Sequence, residues 1–187
     1  MKISKGESMK RIIDLFISVI GLIVLSPIFL ILIIWIKLDS KGPVLFKQKR
    51  VGIHKTHFNI LKFRTMKIDT PKDTPTHLLK NPEQYITRAG KFLRKTSLDE
   101  LPQIFNIIKG DMAIVGPRPA LWNQYDLIEE RDKYGANDIR PGLTGWAQVN
   151  GRDELEHVYT CTSHTHTPPI SSSDHAASVD VYTHAST

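Results

Sequence analysis

Asp99 and Glu100 stand side by side in the segment Thr96-Ser97-Leu98-Asp99-Glu100-Leu101-Pro102-Gln103, with Arg88, Lys91, Arg94 and Lys95 just upstream. Neighbouring carboxylates raise each other's pKa unless a cation or hydrogen-bond donors offset the repulsion. Both remedies are near. The spacing Leu101, Ile104, Phe105, Ile108 predicts a helix from about Asp99 to Ile108, whose first turn offers free N–H groups and the positive end of the helix dipole. Ser97-Leu98-Asp99-Glu100 also reads as an S-x-x-E capping box, which would spend Glu100 on the backbone. Pro102 weakens that reading, because with Ser97 as the cap it would be the fifth helical residue, where the missing N–H and the ring both matter. A cap at Leu98 or later leaves the two carboxylates freer to hold a metal ion or meet a substrate.

The other candidate reagents are basic. Arg118 lies between Pro117 and Pro119, which hold its backbone extended or in a turn. A guanidinium so held suits bidentate contact with phosphate, although a rigid surface turn gives the same pattern. Lys62-Phe63-Arg64 could face phosphate or anionic lipid at a strand end, or simply solvent. Gly142, Gly145 and Gly151 would admit a ligand close to the backbone or serve turns. The chain has no G-x-x-x-x-G-K-[ST], G-x-G-x-x-G or H-E-x-x-H, which disfavours NTP-driven, dinucleotide-dependent and zincin chemistry.

These residues need a scaffold, and the chain begins with an apolar one. Residues 12 to 36 carry no charge after Asp14, a run of membrane length without a cleavage signature. A straight helix over it would reach about 37 Å and could cross a bilayer. Ser26-Pro27 interrupts it, leaving arms of about 15 to 22 Å, short of the hydrocarbon core of about 30 Å. Lys2, Lys5, Lys10 and Arg11 precede the run, and Lys37, Lys41, Lys47, Lys49 and Arg50 follow it. A re-entrant helix-break-helix keeps both clusters on the cytoplasmic side, whereas a Pro-kinked spanning helix puts one outside. The expected organisation is therefore a membrane anchor over 1–40, a catalytic domain over 41–156 and a tail over 157–187. Within the domain, Val44 to Met66 reads as a short β-hairpin interrupted at Gly52. Residues 69 to 82 form a proline-rich loop, and helices are expected over Tyr85 to Lys95 and near Ala120 to Tyr134. The fold class is α+β, mainly α.

Composition bounds the partners. The net charge is +6, and because residues 157–187 contain two Asp and no Lys or Arg, residues 1–156 carry +8. A basic body suits phosphorylated substrates, anionic lipid headgroups or nucleic acid. Cys161 is the single cysteine, so there is no internal disulfide framework. The tail is rich in Thr, Ser and His and lacks Leu, a composition expected to be disordered.

Several motifs then occur in a familiar order. They are Ser26-Pro27 within a membrane run, Lys62-Phe63-Arg64-Thr65-Met66, Arg94 through Gln103, Gly110-Asp111-Met112, Val115-Gly116-Pro117-Arg118-Pro119, and Arg140-Pro141-Gly142-Leu143-Thr144-Gly145-Trp146 through Asn150-Gly151-Arg152. Over residues 9 to about 156 the chain resembles a bacterial sugar transferase of the small monotopic phosphoglycosyl transferase family. The resemblance implies transfer of a sugar 1-phosphate from a UDP-sugar to a polyprenyl phosphate such as undecaprenyl phosphate, with release of UMP, at the cytoplasmic face of the bacterial inner membrane. It implies Asp99 as nucleophile through a covalent phosphosugar intermediate and Asp99 and Glu100 as holders of Mg²⁺. It implies Lys62, Arg64, Arg94, Arg118 and Arg152 as substrate-binding residues, membrane lipid as a partner, and a re-entrant break at Ser26 and Pro27. Relatives continue beyond Asn-Gly-Arg-Asp-Glu with an ordered segment, and here Glu156 gives way to the low-complexity tail. A catalytically impaired family member is thus one alternative. A membrane-tethered basic protein that binds nucleic acid or acts as a scaffold is the other, but it leaves Asp99-Glu100 unexplained and shows no recognition-helix or RRM pattern.

Overall fold

The computed structural model describes residues 5–70 and 82–145. It is mostly helical, with a small antiparallel sheet and one long apolar N-terminal helix, in keeping with the α+β, mainly α expectation. That helix, α1 (Lys5–Asp39), carries Pro27 inside it and would measure about 52 Å if straight. Helical assignment continues through Ser26-Pro27, so the expected break is not a loop. The chemistry of the pair shows how continuity is kept. Pro27 has no N–H for the carbonyl of Ile23, and the Ser26 hydroxyl donates to that carbonyl at 2.8 Å instead.

The hairpin forms where expected. β1 (Leu45–Val51) pairs antiparallel with β2 (His57–Phe63), Leu45 facing Phe63 and Val51 facing His57. Phe46, Gln48 and Arg50 turn toward the body, while Lys47 and Lys49 face out. The proline-rich stretch falls largely on residues 71–81, outside the described residues.

α2 (Arg88–Thr96) begins three residues later than Tyr85, because Thr87 is its N-cap and its hydroxyl accepts from Gly90 N at 3.0 Å. A Cβ at Gly90 would collide with the Thr65 carbonyl, so glycine lets this first turn lie on the backbone just after β2. The helix expected from Asp99 to Ile108 divides in two. Ser97 takes a left-handed conformation (φ 57°, ψ 15°), caps nothing with its side chain, and leads into a 3₁₀ turn over Leu98–Glu100. α3 (Gln103–Lys109) starts only after Pro102, which as its N-cap removes no N–H that the helix would bond. The capping box is therefore not formed, and the carboxylates lie on the turn between α2 and α3.

β3 (Ala113–Val115) pairs in parallel with β4 (Gly142–Thr144), a short pairing that periodicity did not suggest. Gly142 is required there: a Cβ on it would run into the Gly116 backbone. α4 (Tyr125–Lys133) begins five residues after Ala120. Gln124 Oε1 accepts from Leu121 N at 2.8 Å, making a turn of the residues before it.

Two apolar clusters hold these parts together. In the first, Phe29, Leu32 and Ile36 of α1 pack on Phe63 and Leu93, with the Phe29 and Phe63 rings 5.5 Å apart. In the second, Phe58, Ile60, Ile107 and Met112 join β2 to α3. The earlier half of α1 is held by polar contacts instead. Arg11 donates to the Ile107 and Ile108 carbonyls at 2.5 and 2.9 Å, and Asp14 Oδ1 accepts from Ile114 N at 3.3 Å.

Candidate active site

The acid pair owes its position to Asn106. This buried side chain accepts from Leu61 N at 2.9 Å and donates to the Asn59 carbonyl at 2.9 Å, supplying the open edge of β2 with the partners a third strand would give. α3 is thereby fixed against β2 at the residues next to Lys62, and the turn preceding α3 brings Glu100 over the strand. Lys62 Nζ and Glu100 Oε1 are 2.8 Å apart, their side chains 17% and 15% exposed.

Beside this pair opens a shallow recess lined by Arg50, Ile60, Lys62, Glu100, Gln103, Arg118, Pro119, Gly142 and Leu143. Asp99 does not line the recess but lies on the adjoining turn, half-buried, under the influence of Lys62, Glu100 and Arg94. Burial pushes its carboxyl pKa up; Lys62 opposes this, Glu100 adds to it and Arg94 opposes it again. Lys62 is shifted down by burial, with Glu100 holding it up through charge and hydrogen bond. Arg94 donates from Nε to Thr65 Oγ1 at 2.9 Å, and burial lowers its pKa while Asp99 favours its charge. Across the recess, burial brings Arg50 down to about 10, with Arg118 and Arg131 pushing the same way and Glu100 opposing.

The lining thus holds three cations and one carboxylate, the balance that an anion would complete. It brings together Lys62, Glu100 and Arg118, with Asp99 and Arg94 at its edge. Arg64 goes elsewhere: its guanidinium donates to the Lys41 carbonyl and, at 2.8 Å, to that of Ser40, closing the end of α1. Arg152 lies outside the described residues, as do residues 146–187 and the tail within them. Gly142 sits in β4 against the Gly116 backbone rather than in a turn, and it also lines the recess.

Two lining residues did not stand out in the sequence. Arg50 was one of several flanking cations, yet the alternation along β1 sends it inward; it donates to the Pro119 carbonyl at 3.1 Å and so braces the Arg118 turn. Gln103, buried at the start of α3, had no distinguishing signal.

The donor chemistry fits a Mg²⁺ ion. Asp99 and Glu100 supply hard oxygen ligands, and this ion commonly takes one or two carboxylates with substrate phosphate oxygens and water. Among the described residues no three His, Cys, Asp or Glu side chains gather into a fuller cage. Lys62 already occupies one oxygen of Glu100, so a bound ion would share that carboxylate.

Residues 5–167 match the profile of the family described as bacterial sugar transferase. The chain is 42% identical over 152 residues to an undecaprenyl-phosphate glucose phosphotransferase of Komagataeibacter xylinus, covering 78% of this chain and 29% of that protein. It is 41% identical over 147 residues to the uncharacterized sugar transferase EpsL of Bacillus subtilis, covering 79% and 71%. To a UDP-glucose:undecaprenyl-phosphate glucose-1-phosphate transferase of Xanthomonas campestris it is 41% identical over 154 residues, covering 81% and 32%. The chain thus spans about a third of the length of two of these relatives and most of the third.

Proposed function

This chain belongs to the bacterial sugar transferase family, and we propose that it transfers a sugar 1-phosphate from a UDP-sugar to polyprenyl phosphate, releasing UMP. The observation that carries the proposal is the half-buried pair Asp99-Glu100 beside a recess walled by Lys62, Arg50 and Arg118. An Asp99 carboxylate oxygen attacks the sugar-bearing phosphorus, and the bond from that phosphorus to the bridging oxygen breaks, so UMP leaves with the electron pair. A phosphate oxygen of the polyprenyl acceptor then attacks the same phosphorus and frees the carboxylate. One phosphoanhydride replaces another, so no ATP is consumed. Lys62 and Arg94 offset the charge of Asp99, and Arg118, braced by Arg50, holds phosphate oxygens. Asp99 and Glu100 would hold Mg²⁺, which when bound offsets repulsion between carboxylate and phosphate.

The chain works at the cytoplasmic face, with α1 entering and leaving the bilayer on one side. Two contacts support that topology. Arg11 bonds to the Ile107 and Ile108 carbonyls, and the Phe29 ring packs 6.0 Å from that of Phe105. Contacts to the one short helix thus come from both sides of Pro27, Arg11 before it and Phe29 after it, which holds both arms of α1 to the same body.

The test is UMP release by the membrane-reconstituted chain across a panel of UDP-sugars with polyprenyl phosphate. Release with at least one sugar, dependent on the lipid phosphate for turnover, is expected. No release with any UDP-sugar, together with salt-sensitive retention of DNA, would favour the basic scaffold reading.

A further inference from the structure

We infer that the outward face of α2 is a docking surface for the headgroups of anionic phospholipids, a second membrane contact beside α1. The inference rests on the reading that α1 lies in lipid. The structure divides the four cations of α2 between two tasks. Arg94 turns inward to Thr65 Oγ1, whereas Arg88, Lys91 and Lys95 are exposed, with Phe92 between them. Positions 88, 91, 92 and 95 share one helical face, opposite the buried Ala89, Gly90 and Leu93.

Phe92 joins this face to α1. Its ring is 5.3 Å from that of Trp35, and the two residues are 44% and 38% exposed. Around Trp35 on α1, Ile31, Ile34 and Leu38 are exposed as well. An open aromatic pair between an apolar helix face and a row of cations matches the bilayer interface, where rings sit among headgroups. Lys37 and Lys41 are also exposed and extend the cationic border at the end of α1.

The nearby anions leave the stripe positive. Glu83 lies 3.1 Å from Lys91, both of them exposed, and such a pair is weak in solvent. Asp39 accepts from Ala89 N at 3.0 Å and so faces the start of α2. Charge favours anionic over zwitterionic lipid, and continuity with the apolar face of α1 favours a bilayer over an acidic protein.

The experiment reconstitutes the full chain, with Trp122→Phe and Trp146→Phe leaving Trp35 as the only tryptophan, into phosphatidylcholine vesicles containing phosphatidylglycerol. Either lipid carries brominated acyl chains, so quenching of Trp35 reports which headgroup gathers beside it. Brominated phosphatidylglycerol is expected to quench about threefold or more above its share of the mixture, an excess removed by high salt. The triple substitution Arg88→Gln, Lys91→Gln, Lys95→Gln should abolish the excess while brominated phosphatidylcholine still quenches. Equal quenching by the two lipids in the chain with native α2, or an excess indifferent to salt, overturns the inference while leaving α1 in the membrane. Quenching by neither lipid overturns the membrane reading of α1 itself. The salt arm needs no substitution in α2, so a misfolded triple variant does not obscure the result.

Discussion

Lys62 is the side chain on which the acid pair most directly depends. It sits 2.8 Å from Glu100 and is the largest charge favouring ionised Asp99. Lys62→Met keeps the apolar stem and removes the charge, and should lower the rate of UMP release by about 10² or more; a rate within about threefold of the unaltered chain would remove Lys62 from the machinery. Glu100→Gln should lower activity and blunt the response to Mg²⁺ in a titration after chelation, and an unchanged Mg²⁺ requirement would take Glu100 out of the ion's ligand set. Asp99 and Glu100 could be picked out from residue type and local sequence, whereas Lys62, Arg94 and Arg118 each had an equally plain surface reading until the family resemblance singled them out. Arg50 could not, because its direction depends on the register of β1 against β2 and on the bridge from Arg50 to Leu121, both long-range facts. Arg64 illustrates the converse. Lys62 and Arg64 share an alternation, but β2 ends at Phe63, and the open carbonyls at the end of α1 take the arginine.

At the scale of elements, the join between α3 and β2 carries the geometry of the site. Asn106→Ala leaves the Leu61 N–H and the Asn59 carbonyl without their partner, which should cost about 2 to 4 kcal/mol. Denaturant unfolding in detergent micelles, followed by tryptophan fluorescence, measures it; a loss under about 0.5 kcal/mol would mean that β2 does not rely on this side chain. The hairpin was legible because alternation and Gly52 are local signals. The helix containing the acid pair was legible in existence but not in form, since Pro102 and the left-handed Ser97 together convert its first turn to 3₁₀ and delay α3 to Gln103. β3 and β4 were not legible: each has three residues, and their pairing is made by the close approach of Gly116 and Gly142 across the chain.

For the whole molecule, α1 grips the body at both ends, through Arg11 and Asp14 near its start and Phe29, Leu32 and Ile36 near its end. Its apolar length was plain from the sequence, whereas the Ser26 hydroxyl keeping the helix continuous at Pro27 was not. Single cysteines at Lys5 and Lys41, with Cys161 replaced, should both react with an impermeant thiol reagent from the cytoplasmic side only, and labelling from opposite sides would establish a spanning helix. Pro27→Ala should shift the population toward spanning. The central claim is that Asp99 itself attacks phosphorus. Mass spectrometry of the chain incubated with its UDP-sugar in the absence of polyprenyl phosphate should find a sugar phosphate on the peptide containing Asp99, discharged when the lipid phosphate is added and absent in Asp99→Asn. An unmodified chain that releases UMP only when polyprenyl phosphate is present, or an Asp99→Asn variant that turns over at the native rate, would contradict it.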